Sequence, residues 1–162
     1  MPVIDKKVLG KYFEAVILRG VQEAQQDGSA TVEAQHLLLG VAAQDGTEPQ
    51  RILRAAGLDH DGIRAALDRE FEQSLAVAGV TASIADLPPV PRFDRKPGLG
   101  ATGKLAIERM ATSTTKRELR PQHLLLGILL AEVGTVPRLL AVAGVDRTEL
   151  IAAVRDSLDS AR

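Results

Sequence analysis

Hydrophobic residues recur at helical spacing along most of the chain. Near the N-terminus, apolar positions from Val8 to Ala24 repeat every three or four residues, which predicts an amphipathic helix over roughly residues 5–27. Residues 37–43 and 124–131 are instead apolar on nearly every side, which is typical of helices at the centre of a domain. Both segments are far shorter than the ~20 residues that cross a bilayer, so the sequence predicts no membrane association.

The second pattern is an internal repeat. The sequence Gln-His-Leu-Leu-Leu-Gly occurs at residues 35–40 and again at residues 122–127, 87 positions later. Two further blocks follow in the same order in each half: Gly-Thr-x-Pro, then Ala-Gly-x-Asp about ten residues beyond it. Three matched blocks in one order predict a tandem duplication of a single helical unit.

Each copy is predicted to contain four helices. In the first copy, Thr31, Thr47 and Asp59 are expected to cap the second, third and fourth helices. In the second copy, a helix over roughly residues 102–116 is followed by helix starts at Pro121, Thr135 and Asp146. The apolar stripes of the two fourth helices are Ile63, Leu67, Phe71 and Leu75, and Leu150, Val154 and Leu158.

These patterns predict an all-α fold of two tandem four-helix repeats related by a pseudo-twofold axis. Repeat one covers residues 1–78, a linker covers residues 79–100, and repeat two covers residues 101–162, all within a single domain of residues 1–162. The linker holds four prolines and is expected to run exposed across the surface. Its one aromatic residue, Phe93, is either a contact for a partner or a pin that holds the linker down.

Composition and charge exclude several kinds of partner and site. The chain has 20 Lys and Arg against 21 Asp and Glu, and a net charge of −1 argues against a nucleic-acid partner. The absence of Cys excludes disulfides, thiolate metal sites and cysteine catalysis, and is compatible with a cytoplasmic location. A content rich in Ala and Leu with only four aromatic residues is typical of a helical protein.

Residues 98–105 nearly spell a phosphate-binding loop, with Gly98, Gly103 and Lys104 in place. That motif also requires Ser or Thr after the Lys to bind Mg²⁺, and Leu105 stands there. The segment before it is not a buried strand. We therefore predict a glycine-rich linker end that leads into a helix, with no nucleotide as cofactor.

The histidines do not predict a metal site. His36 and His123 occupy equivalent positions in the two copies, so the duplication explains them without a metal, and His60 would be an isolated third ligand. Each of the first two is expected to pack in the first turn of its helix and to contact nearby backbone.

Nothing in the chain predicts an enzyme. No Ser lies in a nucleophile-elbow context. Four glutamates of the predicted helices are expected to lie on solvent-exposed faces: Glu14, Glu23, Glu108 and Glu132.

The duplicated His-Leu-Leu-Leu-Gly block, at the start of a buried second helix, resembles the N-terminal repeat domain of Clp ATPases. The nearest likeness is to the ClpC type, whose signature reads Gly-Thr-Glu-His-Ile-Leu-Leu-Gly-Leu, and it extends over the whole chain except the linker. The resemblance implies an all-α recognition domain that binds substrates, adaptors, phosphoarginine-marked proteins or cyclic-peptide antibiotics. With no room left for the ATPase rings, it implies a free-standing domain.

The chain departs from the signature in both copies. The Glu that precedes the His in the family is Gln35 in the first copy and Gln122 in the second, and the Thr before it is Ala34 and Pro121. In phosphoarginine-binding members this Glu pairs with the guanidinium of the ligand, and Gln carries no charge to do so. Glu33 is the nearest replacement in the first copy, whereas Arg120 stands at the matching place in the second.

The resemblance thus implies a non-catalytic protein- or peptide-binding module, acting as an adaptor for a Clp protease or as a decoy that sequesters its ligands. The candidate ligand-binding residues are Glu33, Gln35, Gln122, Phe93 and Lys104. The expected state is a monomer or weak homo-oligomer. Two alternatives remain: a small helical transcriptional regulator, and a nucleotide-binding enzyme that uses residues 98–104.

Overall fold

A computed structural model describes residues 4–81, 83–88 and 95–162. Eight α-helices lie within these residues, four in each half of the chain, which confirms the predicted all-α repeats. The helices of the first half are α1 (Lys6–Gln26), α2 (Ala34–Ala42), α3 (Glu48–Ala55) and α4 (His60–Val77). Those of the second half are α5 (Ala101–Ser113), α6 (Pro121–Leu129), α7 (Thr135–Val142) and α8 (Arg147–Ser160).

The helix ends follow from local side-chain chemistry. The carboxylates of Asp59 and Asp146 accept hydrogen bonds from backbone N–H groups in the first turns of α4 and α8, as predicted. The helix before each of them ends at a glycine with positive φ, Gly57 or Gly144. The prediction for Thr31 is wrong: Glu33 is the N-cap residue of α2, because Thr31 pairs in a short strand.

The two repeats interlock through their third and fourth helices. In the first repeat α4 packs against α7 of the second, and reciprocally α8 of the second packs against α3 of the first. The two central helices α2 and α6 contact each other and bury almost every side chain. This exchange is what a pseudo-twofold relation between the repeats produces, and it makes one continuous core from the two halves.

Within each repeat the first helix lies close against the second. A Cβ atom on Gly40 of α2 would lie 2.5 Å from the Val16 carbonyl oxygen of α1. At the matching place in repeat two, a Cβ atom on Gly127 of α6 would clash with the Ala106 carbonyl oxygen of α5. The glycine of the duplicated block therefore lets two helix backbones approach each other.

A short pairing joins the linker to the first repeat. Strand β1 (Thr31–Val32) runs parallel to β2 (Gly98–Leu99), and the Gly100 N–H donates a hydrogen bond to the Val32 carbonyl at 2.9 Å. The end of the linker is thus part of the fold rather than wholly exposed. A short 3-10 turn lies at Ile84–Asp86, whereas Phe93 lies outside the described residues.

The predicted stripe of α4 is only partly buried. Ile63 is fully buried, but Phe71 is 43% exposed. In α8, Leu150 and Val154 are buried as expected. In the part of the chain that the structure describes, no helix has the length and apolarity that a membrane crossing requires.

Candidate functional site

Glu33 connects the starts of two helices from different repeats. Its carboxylate accepts hydrogen bonds from the backbone N–H of Thr102 at 3.0 Å, from the Thr102 hydroxyl, and from the Thr31 hydroxyl at 2.6 Å. The Thr102 hydroxyl in turn accepts a hydrogen bond from the Ala34 N–H at 2.9 Å. Burial alone would raise the pKa of Glu33, but these hydrogen bonds lower it below its usual value. Glu33 is therefore an ionised cap shared by α2 and α5.

The Glu33 cap lies against the glycine-rich segment before Lys104. A phosphate-binding loop would place its ligand at the N-terminus of α5. The Glu33 carboxylate already lies against the backbone there, so closely that a Cβ atom on Gly100 would clash with it. Since a second anion at that place would be repelled, the geometry opposes the nucleotide-binding alternative. Lys104 itself is exposed on α5.

The signature histidines contact backbone, as predicted. Nδ1 of His36 accepts a hydrogen bond from the Glu33 N–H at 2.9 Å, and Nδ1 of His123 accepts one from the Arg120 N–H at 2.9 Å. Each histidine thus closes the first turn of its helix on the residue three positions earlier. Among the residues that the structure describes, no group of three or more His, Cys, Asp or Glu side chains is arranged to hold a metal ion.

Glu23 is not on a solvent-exposed face, and that prediction is wrong. Its side chain is 1% exposed, and its carboxylate binds Arg19 at 3.0 Å and also binds His60 and Arg64. Burial alone would raise the pKa of Glu23, but the hydrogen bonds from His60, Arg64 and Arg19 lower it to about 2. Asp27 extends this cluster by binding Arg64 at 2.6 Å. Every member contacts another, so the cluster joins α1 to α4 rather than forming a reactive site.

A cleft of about 630 Å³ opens where the two repeats meet. One wall is the apolar start of α1, and the other is the start of α6 with the end of α8. We call this the junction cleft; its lining residues include Val8, Leu9, Tyr12, Glu48, Pro121, Gln122, Ser157 and Ser160. The Tyr12 hydroxyl is buried without a hydrogen-bond partner in the described structure, and burial raises its pKa strongly, so it remains protonated.

The structure brings only part of the predicted set of site residues together. Gln122 lines the junction cleft, where its amide donates a hydrogen bond to the Ser157 hydroxyl at 3.1 Å. Gln35 and Glu33 lie at the start of α2 near α5, on the pseudo-symmetric side of the molecule. Phe93 is outside the described residues. The sequence did not predict the cleft walls contributed by α1 and α8, because their residues have the pattern of ordinary helix faces.

Comparison with known proteins agrees with this architecture. The family model of the Clp repeat (R) N-terminal domain matches residues 10–95. Among solved structures, the chain is similar to the N-terminal domain of the caseinolytic protease associated chaperone ClpD from Arabidopsis thaliana. That likeness has a TM-score of 0.64 and 20% sequence identity, and it covers 91% of this chain and 92% of the other. No curated protein sequence matches the chain. The chain belongs to the Clp repeat N-terminal domain family, whose members are substrate- and adaptor-binding modules of Clp ATPases.

Proposed function

We propose that this domain binds a peptide segment of a protein partner in the junction cleft and carries out no chemistry on it. The proposal rests on the different chemistry of the two walls of that cleft. Apolar side chains of α1 face polar groups at the start of α6 and the end of α8, which suits a ligand with apolar side chains and a hydrogen-bonding backbone. The lining lacks a nucleophile paired with a base.

The exposure of Val8 supports a ligand at this place. Val8 is 59% exposed at the rim of the cleft, beside the nearly buried Leu9. An apolar ligand side chain that covered Val8 would remove its remaining surface from water, which favours binding. The helices α2 and α6, by contrast, are buried and offer no face to DNA, which counts against the regulator alternative.

A binding experiment with a paired control tests the junction cleft. Overlapping peptides of casein, used as an unfolded model substrate, would be screened for binding, and the best would be measured by fluorescence anisotropy. We expect Val8→Glu to weaken binding by roughly tenfold or more, because it places a charge on the apolar wall. Val133→Glu changes an equally apolar residue, 84% exposed and outside the cleft lining, and should leave binding unchanged. Equal affinities for the two variants would contradict the proposal.

Two roles follow from such binding, both in the cytoplasm. As an adaptor, the domain would deliver its ligand to a Clp ATPase and protease. As a decoy, it would sequester ligands, including cyclic-peptide antibiotics, that otherwise occupy the ATPase. Degradation of a bound casein peptide by a Clp ATPase–protease complex distinguishes them: added domain accelerates the reaction if it is an adaptor and slows it if it is a decoy.

Free phosphoarginine should bind weakly or not detectably to the unmodified domain. Gln35 and Gln122 lack the charge that would meet the guanidinium, and hydrogen bonds to charged groups contribute about 1.5–3 kcal/mol against ~1 for neutral ones. Glu33 carries a charge, but its oxygens already bind Thr31 and Thr102. Titration calorimetry should therefore show an affinity gain of roughly tenfold in the double variant Gln35→Glu with Gln122→Glu. Low-micromolar binding by the unmodified protein would contradict the prediction.

A further inference from the structure

The two signature histidines have the same position in their repeats but different surroundings. In repeat one, Nε2 of His36 lies 3.1 Å from the Asp27 carboxylate, while Nδ1 accepts a hydrogen bond from the Glu33 N–H. In repeat two, Nδ1 of His123 accepts the equivalent bond from the Arg120 N–H. Nε2 of His123, however, has no hydrogen-bond partner in the described part of the chain, although the residue is only 8% exposed.

One difference between the repeats accounts for the missing partner. Asp27 is the C-cap residue of α1, and Thr114, 87 positions later, is the C-cap residue of α5. The shorter Thr114 side chain carries no charge, and its hydroxyl is 3.4 Å from the Glu118 carboxylate. Repeat two therefore lacks the carboxylate that satisfies the histidine in repeat one.

The unpartnered Nε2 atom is a hydrogen-bond donor. Since Nδ1 of His123 accepts from a backbone N–H, the neutral ring must carry its proton on Nε2. Burial lowers the pKa of His123, and the positive charges of Arg120 and Arg162 act in the same direction, so the neutral ring is favoured. This N–H is not among the enclosed polar atoms that lack a partner, so it is open to the cleft, where an acceptor on a ligand can bind it.

His123 lines a second cleft, of about 780 Å³, between residues 113–120, the start of α6 and the end of α8. Two carboxylates, those of Glu118 and Asp159, are outnumbered there by four guanidinium groups. We call this the arginine cleft; its basic and imidazole side chains are Arg117, Arg120, His123, Arg155 and Arg162. The guanidinium groups of Arg117, Arg155 and Arg162 form no ion pair with any described residue.

We propose that the arginine cleft binds a carboxylate of a peptide ligand, which accepts the hydrogen bond of His123 Nε2–H and pairs with the surrounding arginines. The repeats themselves favour a carboxylate, because Asp27 holds that place in repeat one and pairs there with Arg64. The inference rests on the proposed function in that the ligand is a peptide, but it concerns a different cleft.

Three fluorescein-labelled hexapeptides test the chemistry. They share one apolar sequence. The first has a central Glu and an amidated C-terminus, and the second has a central Gln and a free C-terminal carboxylate. The third, the neutral reference, has a central Gln and an amidated C-terminus. At low salt and pH 7, at least one acidic peptide should bind roughly tenfold more tightly than the neutral one. If the peptide with the central Glu binds more tightly, the recognised carboxylate belongs to a side chain; if the peptide with the free C-terminus does, it belongs to a chain end. Equal affinities for all three peptides would overturn the proposal.

Variants of exposed arginines test the place of binding without disturbing the core. Arg155→Gln and Arg162→Gln should each weaken the acidic peptide severalfold and leave the neutral peptide unchanged. Arg69→Gln, also exposed and without an ion pair among the described residues, is the matched control on α4. If Arg155→Gln and Arg69→Gln behave alike, the arginine cleft is not the site. Neutral-peptide binding that responds only to Val8→Glu would then still support the proposed function.

A spectroscopic readout reports on His123 directly. With ¹⁵N-labelled protein, the acidic peptide should slow the exchange of the His123 Nε2 proton, whereas the His36 proton, already bonded to Asp27, serves as the internal reference. An unchanged His123 signal at saturating peptide would exclude its role. If inorganic phosphate produced the change and the acidic peptides did not, the assignment of a carboxylate would be wrong.

Discussion

Replacing Glu23 by Gln should lower the free energy of unfolding by about 3 kcal/mol. Removing one partner of a buried ion pair costs about 3–5 kcal/mol, because the remaining charge stays buried and uncompensated. Glu23 is 1% exposed and binds Arg19, His60 and Arg64. The lower end of the range applies, since Arg64 keeps its contact with Asp27. Urea denaturation followed by circular dichroism measures the change.

Glu14→Gln is the control for that experiment, because Glu14 lies exposed on the same helix. It should change stability by less than about 0.5 kcal/mol. A loss for Glu23→Gln no larger than the control's would show that the cluster does not stabilise the fold.

The contribution of Glu23 should also depend on pH. Its pKa is about 2 in the folded protein, against 4.5 for a free Glu side chain. A carboxylate whose pKa is lower in the folded protein stabilises the fold at pH values above its pKa in the unfolded chain. That stabilisation is lost as the pH falls toward its pKa in the folded protein. The stability difference between the wild type and Glu23→Gln should thus be complete above about pH 5 and shrink steadily toward pH 2. A difference that stayed constant over this range would contradict the assignment.

Gly127→Ala should destabilise the domain by about 1–3 kcal/mol or more, and Gly40→Ala should do the same. In both cases the new methyl group meets a backbone carbonyl oxygen of the neighbouring helix, which cannot turn away as a side chain can. The helices α5 and α6, or α1 and α2, would have to separate and lose core contacts. Thermal and urea denaturation of the two variants measure the loss.

Gly10→Ala should instead increase the stability of the domain. Gly10 is exposed in α1, and nothing lies within 4 Å of a Cβ atom there. With no clash to offset it, the higher helix propensity of Ala should stabilise the protein by about 0.5–1 kcal/mol. If Gly127→Ala were as benign as Gly10→Ala, the close approach of α5 and α6 would not hold.

Local patterns in the sequence determined the eight helices of the described residues and their duplication. Caps such as Asp59 and stops such as Gly57 act within one or two turns, so they are visible without any tertiary information. The same holds for the two signature histidines, whose ring nitrogens contact backbone three residues away. The duplicated block also predicted the family to which the chain belongs.

Only the tertiary structure decided which charges lie inside and how the repeats fit together. Glu23 has the sequence context of an exposed helical residue, and it is buried because α4 brings Arg64 and His60 against it from about 40 positions away. Glu33 was placed near the ligand by sequence position, yet Thr102, from the other repeat, makes it a helix cap. The junction cleft arises in the same way, since its walls come from α1 and α8, helices at opposite ends of the chain that meet only after the repeats interlock.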